Sequence, residues 1–224
     1  KKAKVKITID GKTYNKRTDS KGKASISLKL NNGKYTVKTT FDETAKYHKQ
    51  TVTSTVTVKS TIHAHDFSKY YKNKSQYKAT FYNKNGKLLK KTRITFKWNG
   101  KTKKVKTSTK GVAKLAIDWI PGTYSISMVN PKTSETVTKT ITIKPLIETS
   151  DLTMKEKDGS KFTVKVLNSY GRGSANQIVT LKVNGQTFTL RSNSNGIASQ
   201  VIDLPEGKYR ITPDYNVFVN TNNI

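Results

Sequence analysis

The chain has 224 residues, with 43 Lys and Arg against 14 Asp and Glu, a formal net charge of +29 and a pI near 10.1. It contains no cysteine, which excludes disulfides, thiolate metal sites, iron–sulfur clusters and cysteine nucleophiles together. Hydrophobic residues amount to 33%, which suits several thin cores better than one large enzyme domain, and no apolar run approaches the length of a membrane-crossing helix. The opening KKAKVK has no apolar signal region behind it, so the chain reads as a processed segment with no transmembrane span.

In chain order, the first predicted element is a hairpin, VKITIDGKTY from Val5, with Asp10-Gly11 at its tip. Such dipeptides populate the positive φ that two-residue hairpin turns require. A turn at Asp19 to Gly22 follows, then Ala24, Ile26, Leu28 and Leu30 alternating with polar residues. That period of two predicts a strand with one face on a core. Gly33 and Tyr35 open another strand, and the Thr-rich run Thr51 to Lys59 closes the segment with residues suited to a pleated surface. The series then restarts. RITFKWNGKT from Arg93 and IVTLKVNGQT from Ile178 repeat the first hairpin, with tips at Asn99-Gly100 and Asn184-Gly185.

The turn glycines Gly11, Gly100 and Gly185 lie 89 and then 85 residues apart. The same offsets relate Gly22, Gly111 and Gly196, then Gly33, Gly122 and Gly207, and then Tyr35, Tyr124 and Tyr209. Ala113 to Trp119 and Ala198 to Leu204 align with Ala24 to Leu30, and no helix is predicted. The fold class expected is therefore all-β: tandem Ig-like antiparallel β-sandwich modules in an extended array. The expected modules are 1–60, lacking its first strands; 61–145, complete; and 146–224, lacking its last strand. The segment Tyr77 to Asn83 of the middle module has no counterpart in the first. The simplest expectation is a window from a longer array; the alternative is a filament subunit completed by strands exchanged between chains.

The quoted turns and strands resemble the immunoglobulin-like repeats of large adhesin-like surface proteins, abundant in methanogenic archaea and related to bacterial Ig-like repeats. The resemblance covers nearly the whole chain. It rests on the turn at Asn99-Gly100, the series Thr109, Gly111, Ala113, Leu115 and Ile117, the turn from Pro121 to Ile126, and the closing run from Phe41 through Tyr47 to Val58. It implies an extracellular, cell-surface stalk or adhesive array without catalytic residues, and this chain departs from the family in its lysine content.

Several constellations have residue types suited to chemistry. His63, His65 and Asp66 form the one cluster with metal-ligand spacing, set against a polar linker at a module junction. Asp118 and Asp203 align, at positions expected to face water. Lys78 is the candidate for a lysine–asparagine cross-link, without an inward acid to promote it. Asp19 and Asn195, with Asp42 and Glu43 nearby, suggest either calcium or plain turn chemistry. Asn73-Lys74-Ser75 is a glycosylation triplet. Neither a metal nor any other cofactor is expected, and the chain is read as not an enzyme.

Charge is uneven across the modules. Residues 1–60 carry 15 basic and 4 acidic residues, 61–145 carry 19 and 3, and 146–224 carry 9 and 7. The candidate contacts with an anionic surface are Lys87, Lys90, Lys91, Arg93, Lys101, Lys103, Lys104 and Lys106. Lysines alternating along strands also guard sheet edges, which is the rival explanation. Because the charge is nearly all lysine, the expected partner is an anionic glycan, a cell-wall polymer or a host or partner cell surface, with neighbouring copies of the chain a further partner. Nucleic acid is the second class. For it, Tyr70, Tyr71, Tyr77, Phe81 and Tyr82, interleaved with Lys69, Lys72, Lys74, Lys78 and Lys84, would serve as a stacking groove.

Overall fold

Residues able to hold positive φ decide where this chain doubles back. In the computed structural model, which describes residues 2–224, both positions of Asp10-Gly11, Asn99-Gly100 and Asn184-Gly185 lie in the left-handed region, with φ between 42° and 74°. Each forms a two-residue hairpin turn, with Ile9 paired to Lys12, Trp98 to Lys101 and Val183 to Gln186. The next turn is held by a side chain. Asp19 Oδ1 accepts the N–H groups of Lys21 and Lys23 at 2.8 and 2.9 Å. Ser108 Oγ and Asn193 Oδ1 do the same for Lys110 and Val112, and for Asn195 and Ile197. No helix occurs among the described residues.

The chain divides into two compact units, Lys1–Thr61 and Ile62–Ile224. In the first, β1 (Lys4–Ile9), β2 (Lys12–Arg17), β3 (Gly33–Phe41) and β4 (Gln50–Val58) form one antiparallel sheet ordered β2-β1-β3-β4. Its small core is Ile7, Ile9 and Val37, with Tyr14, Ile26, Leu28, Leu30 and Tyr35 packed against it. The strand expected over Ala24 to Leu30 does not form. The alternation survives as half-buried Ile26, Leu28 and Leu30 between exposed neighbours, but no strand pairs with the segment among the described residues. A strand needs a ladder partner as well as a pattern.

The second unit supplies such partners. Its first part comprises β5 (Ile62–Ala64), β6 (Phe67–Tyr70), β7 (Tyr77–Phe81), β8 (Arg93–Trp98), β9 (Lys101–Lys106), β10 (Val112–Leu115), β11 (Gly122–Val129) and β12 (Thr136–Lys144). These form a three-stranded sheet, β10-β7-β5, and a five-stranded sheet, β6-β12-β11-β8-β9. Inward residues of both sheets share one core, including Tyr77, Phe81, Ile94, Phe96, Leu115, Ile126, Met128 and Ile141. The opening strand changes sheets: β5 pairs with β7, and β6 crosses to pair with β12 in parallel, a departure from the all-antiparallel expectation. Asp66, at the crossover, accepts the Thr140 N–H at 2.8 Å.

The second part repeats this plan with β13 (Ile147–Glu148), β14 (Lys161–Val166), β15 (Ile178–Val183), β16 (Gln186–Arg191), β17 (Ile197–Val201), β18 (Arg210–Tyr215), β19 (Phe218–Val219) and β20 (Asn222–Asn223). Its sheets are β13-β14-β17 and β16-β15-β18-β19, with β20 also on β18, and its core is a separate cluster. β19 and β20 thus fill part of the edge beside β18 that β12 fills beside β11. Asp151 Oδ1 accepts the Asn223 N–H at 2.8 Å, as Asp66 does for Thr140.

Two sheets around one core, an opening strand shared between them, and a corner tyrosine define an Ig-like sandwich. The tyrosine hydroxyl donates to the carbonyl four residues back in every repeat: Tyr35 to Asn31, Tyr124 to Ile120 and Tyr209 to Pro205. A buried hydroxyl recurs as well. Thr107 Oγ1 donates to Leu89 O at 2.6 Å and accepts the Thr92 N–H, and Ser192 does the same with Ser174 and Gln177.

Candidate functional site

All eight candidate cations are exposed. Arg93 begins β8, Lys101, Lys103, Lys104 and Lys106 lie on β9, and Lys87, Lys90 and Lys91 belong to the loop leading into β8. β9 is the edge strand of its sheet. Register sorts its lysines by face. Lys106 pairs with Arg93 and Lys104 with Thr95, on the side turned from the core, whereas Lys101 pairs with Trp98 and Lys103 with Phe96, on the core side. At about 3.4 Å per residue, Lys101 to Lys106 spans about 17 Å of edge. The ion pairs among the described residues, Lys6 with Asp42, Lys157 with Glu156 and Lys165 with Glu148, use none of these cations.

The aligned edge strands differ. Where β9 has Lys101, Lys103 and Lys104, β16 has Gln186, Phe188 and Thr189, and β2 has Lys12, Tyr14 and Asn15. Phe188 and Tyr14 pack against their cores, so Lys103 stands where the other repeats place a core-edge aromatic.

A tryptophan pair lies at the tip of the same hairpin. Trp98 and Trp119 stack with centroids 5.0 Å apart at 29°, and Tyr124 meets Trp119 at 4.9 Å. On the opposite face of the sheet a shallow depression of 410 Å³ is lined in part by Lys97, Thr102, Ser125 and Ser127, whose register turns them from the core.

The basic, aromatic stretch expected as a stacking groove takes a different form. Tyr77 and Phe81 are fully buried, and Lys69 is 8% exposed. Its ammonium donates to Asn73 O at 2.7 Å and to Ile117 O. Burial lowers the Lys69 pKa, an effect opposed by the Asp118 charge and reinforced by Lys74. Tyr70 and Tyr71 pack on the second core of the unit. Tyr71 meets the Phe218 ring edge-on at 5.3 Å, Lys144 lies 5.4 Å from the Tyr70 ring centre, and Asn73 Nδ2 donates to Ser169 O at 2.8 Å. Period-two spacing places aromatics in a core as readily as on a surface, and here the core takes them.

The remaining constellations resolve into structural parts. His63 packs against Tyr82 at 4.7 Å with the rings tilted by 49°, Asp66 braces the strand crossover, and no group of three His, Asp or Glu with metal-site proximity occurs among the described residues. Asp118, Asp203 and Lys78 are exposed, so Lys78 lacks the dry surroundings a cross-link needs. The Asp19 carboxylate is occupied by its turn, and Asp42 by Lys6 at 3.0 Å. A cleft of 830 Å³ in the last repeat includes Asp151, Met154, Leu204 and Ile224. There the Asn223 N–H, together with the Asn222 and Asn223 side-chain amides, holds the Asp151 carboxyl below its ordinary pKa. No helix is long and apolar enough to cross a membrane among the described residues.

No protein-family model matches the chain, and no curated protein does. Among solved structures it is similar to invasin, a bacterial integrin-binding protein, at 17% identity and a TM-score of 0.30, over 100% of this chain and 52% of that one. It is similar also to SGBP-B of the Bacteroides ovatus mixed-linkage glucan utilization locus, solved with a mixed-linkage heptasaccharide, at 18% identity and a TM-score of 0.26, over 97% and 56%. A third is a Ca2+-stabilized adhesin with which an Antarctic bacterium binds ice, at 15% identity and a TM-score of 0.25, over 99% and 63%. The chain thus spans less than two thirds of each of these. At such TM-scores, the fold rests on this chain's own strand pairing.

Proposed function

We propose that the chain is a non-enzymatic segment of an extracellular, cell-surface adhesin or stalk. In this reading residues 1–60, 61–145 and 146–224 act as successive Ig-like modules, and the middle one captures an anionic glycan or wall polymer along its lysine edge. The observation that carries the reading is the contrast between three aligned edge strands. Edge protection alone does not account for the lysines of β9, because β16 occupies the same edge with Gln186, Phe188 and Thr189 in their place. Lysine presents a compact charge without the bidentate fork of arginine, so capture is diffuse and screened by salt.

The test exchanges Lys101→Gln, Lys103→Phe and Lys104→Thr, installing the residues of β16, and measures the salt needed to elute the full chain from an anionic polysaccharide. The control removes three lysines from the first unit, Lys21, Lys23 and Lys29, all to Gln. The edge variant is expected to elute at clearly lower salt than the control. Equal elution would show that net charge matters and the edge does not.

A further inference from the structure

Trp98 and Trp119 are the only tryptophans of the chain, and both sit in the repeat with the largest positive charge. Their aligned positions hold Ile9 and Leu30 in the first repeat and Val183 and Leu204 in the third. Ile9, Val183 and Leu204 are buried, whereas both indoles remain partly exposed and packed on the rim of their core. An aliphatic residue therefore suffices to close this end of the sandwich. The indoles exceed what closure requires, and they do so where the lysine edge begins: Lys101 pairs with Trp98 across the hairpin, on the same face.

We infer that this tip is a sugar-stacking subsite for an acidic polysaccharide, with the Trp98–Trp119 pair meeting the C–H face of a pyranose ring and Lys101 and Lys103, on the same face as Trp98, meeting its carboxylates. The inference rests on the anionic-capture reading above and gives it a location. Aromatic rings offer flat, rigid apolar area that loses little entropy on contact. Because the two indoles stack on each other and Tyr124 tilts against Trp119, the pair offers a single outer face and not a slot that sandwiches a base. That favours a saccharide over a nucleic acid.

The two indoles are also the reporters. The full chain is titrated with oligogalacturonate, with a neutral oligosaccharide of equal length, with polyphosphate and with single-stranded oligo-dT, while tryptophan fluorescence and binding by calorimetry are followed. Oligogalacturonate is expected to change the fluorescence, and Trp98→Val with Trp119→Leu, the residues of the third repeat, to weaken its binding about three- to tenfold. The same exchanges are expected to leave polyphosphate binding unaltered. Unchanged fluorescence and unchanged affinity in the exchanged variant would overturn the subsite while leaving the lysine edge standing. A fluorescence response to oligo-dT and none to oligogalacturonate would overturn it in favour of a nucleic acid, and failure of every anion to bind would remove both readings.

Discussion

Raising the pH should destabilise the middle sandwich through Tyr77, and the size of the effect follows from its burial. The Tyr77 ring is 1% exposed, packed edge-on against Phe67 and Phe96, with its hydroxyl 3.5 Å from Met128 Sδ. Desolvation, with a smaller contribution from the Asp66 charge, pushes its pKa up to about 12. In the unfolded chain the phenol ionises near 10. A group whose pKa is higher in the folded state gives stability that is complete below the unfolded value and lost as pH rises toward the folded one. The two-unit shift is worth about 3 kcal/mol in full, of which about 2 kcal/mol is lost between pH 9 and 12 because the titration is gradual at both ends. Lysines deprotonate over the same range, so the informative quantity is the difference between the chain and its Tyr77→Phe variant, read from urea unfolding at pH 9, 10, 11 and 12. The parent should lose about 2 kcal/mol more than the variant across that interval. Parallel curves would mean that the Tyr77 phenol ionises freely in the folded state.

Gly86 and Gly171 occupy equivalent turns at φ of 72° and 76°. A Cβ on Gly86 meets nothing, but one on Gly171 would lie 2.2 Å from Tyr70 Cε2. Gly86→Ala should cost about 1–2 kcal/mol for the left-handed conformation alone, and Gly171→Ala measurably more in the same denaturation assay; equal costs would argue against a tight joint at Tyr70. Thr107→Val removes a buried hydroxyl that donates to Leu89 O and accepts from the Thr92 N–H. Leaving those groups unpaired should cost about 1–3 kcal/mol, with faster amide exchange at Thr92 as the local readout.

Much of this architecture was legible because turn chemistry is local. Asp19, Ser108 and Asn193 each bond their own turn, and the three positive-φ dipeptides fix their hairpins without help from distant residues. What escaped the sequence depends on partners. Ala24 to Leu30 has the alternation of β10 and β17 but no strand beside it, so pattern alone predicted an element that pairing did not supply. Val56 and Ile141 hold the same register opposite their corner tyrosines, yet Val56 is 42% exposed and Ile141 is sealed under a second sheet. From sequence, Lys69 is one lysine of a stacking groove, because its alternation with Ser68 and Tyr70 does not say which side faces inward; its carbonyl partners Asn73 and Ile117 come from loops that only the fold brings together. For the lysine edge, the sequence located the charges. The tip at Asn99-Gly100 also pairs Trp98 with Lys101, but nothing in the sequence stacks Trp98 on Trp119, 21 positions away.

The crossing of the opening strand has a mechanical consequence. β6 and β12 run parallel over four paired residues, Phe67 to Tyr70 against Ile141 to Lys144, and they lie near the entry and exit of the middle repeat. Tension between those two ends drives the strands past one another in opposite directions, so their bridging bonds are loaded in shear and must rupture together. An antiparallel pair gripped at its open end would instead unzip one bond at a time. The middle repeat therefore resists extension best along the line joining its two chain ends.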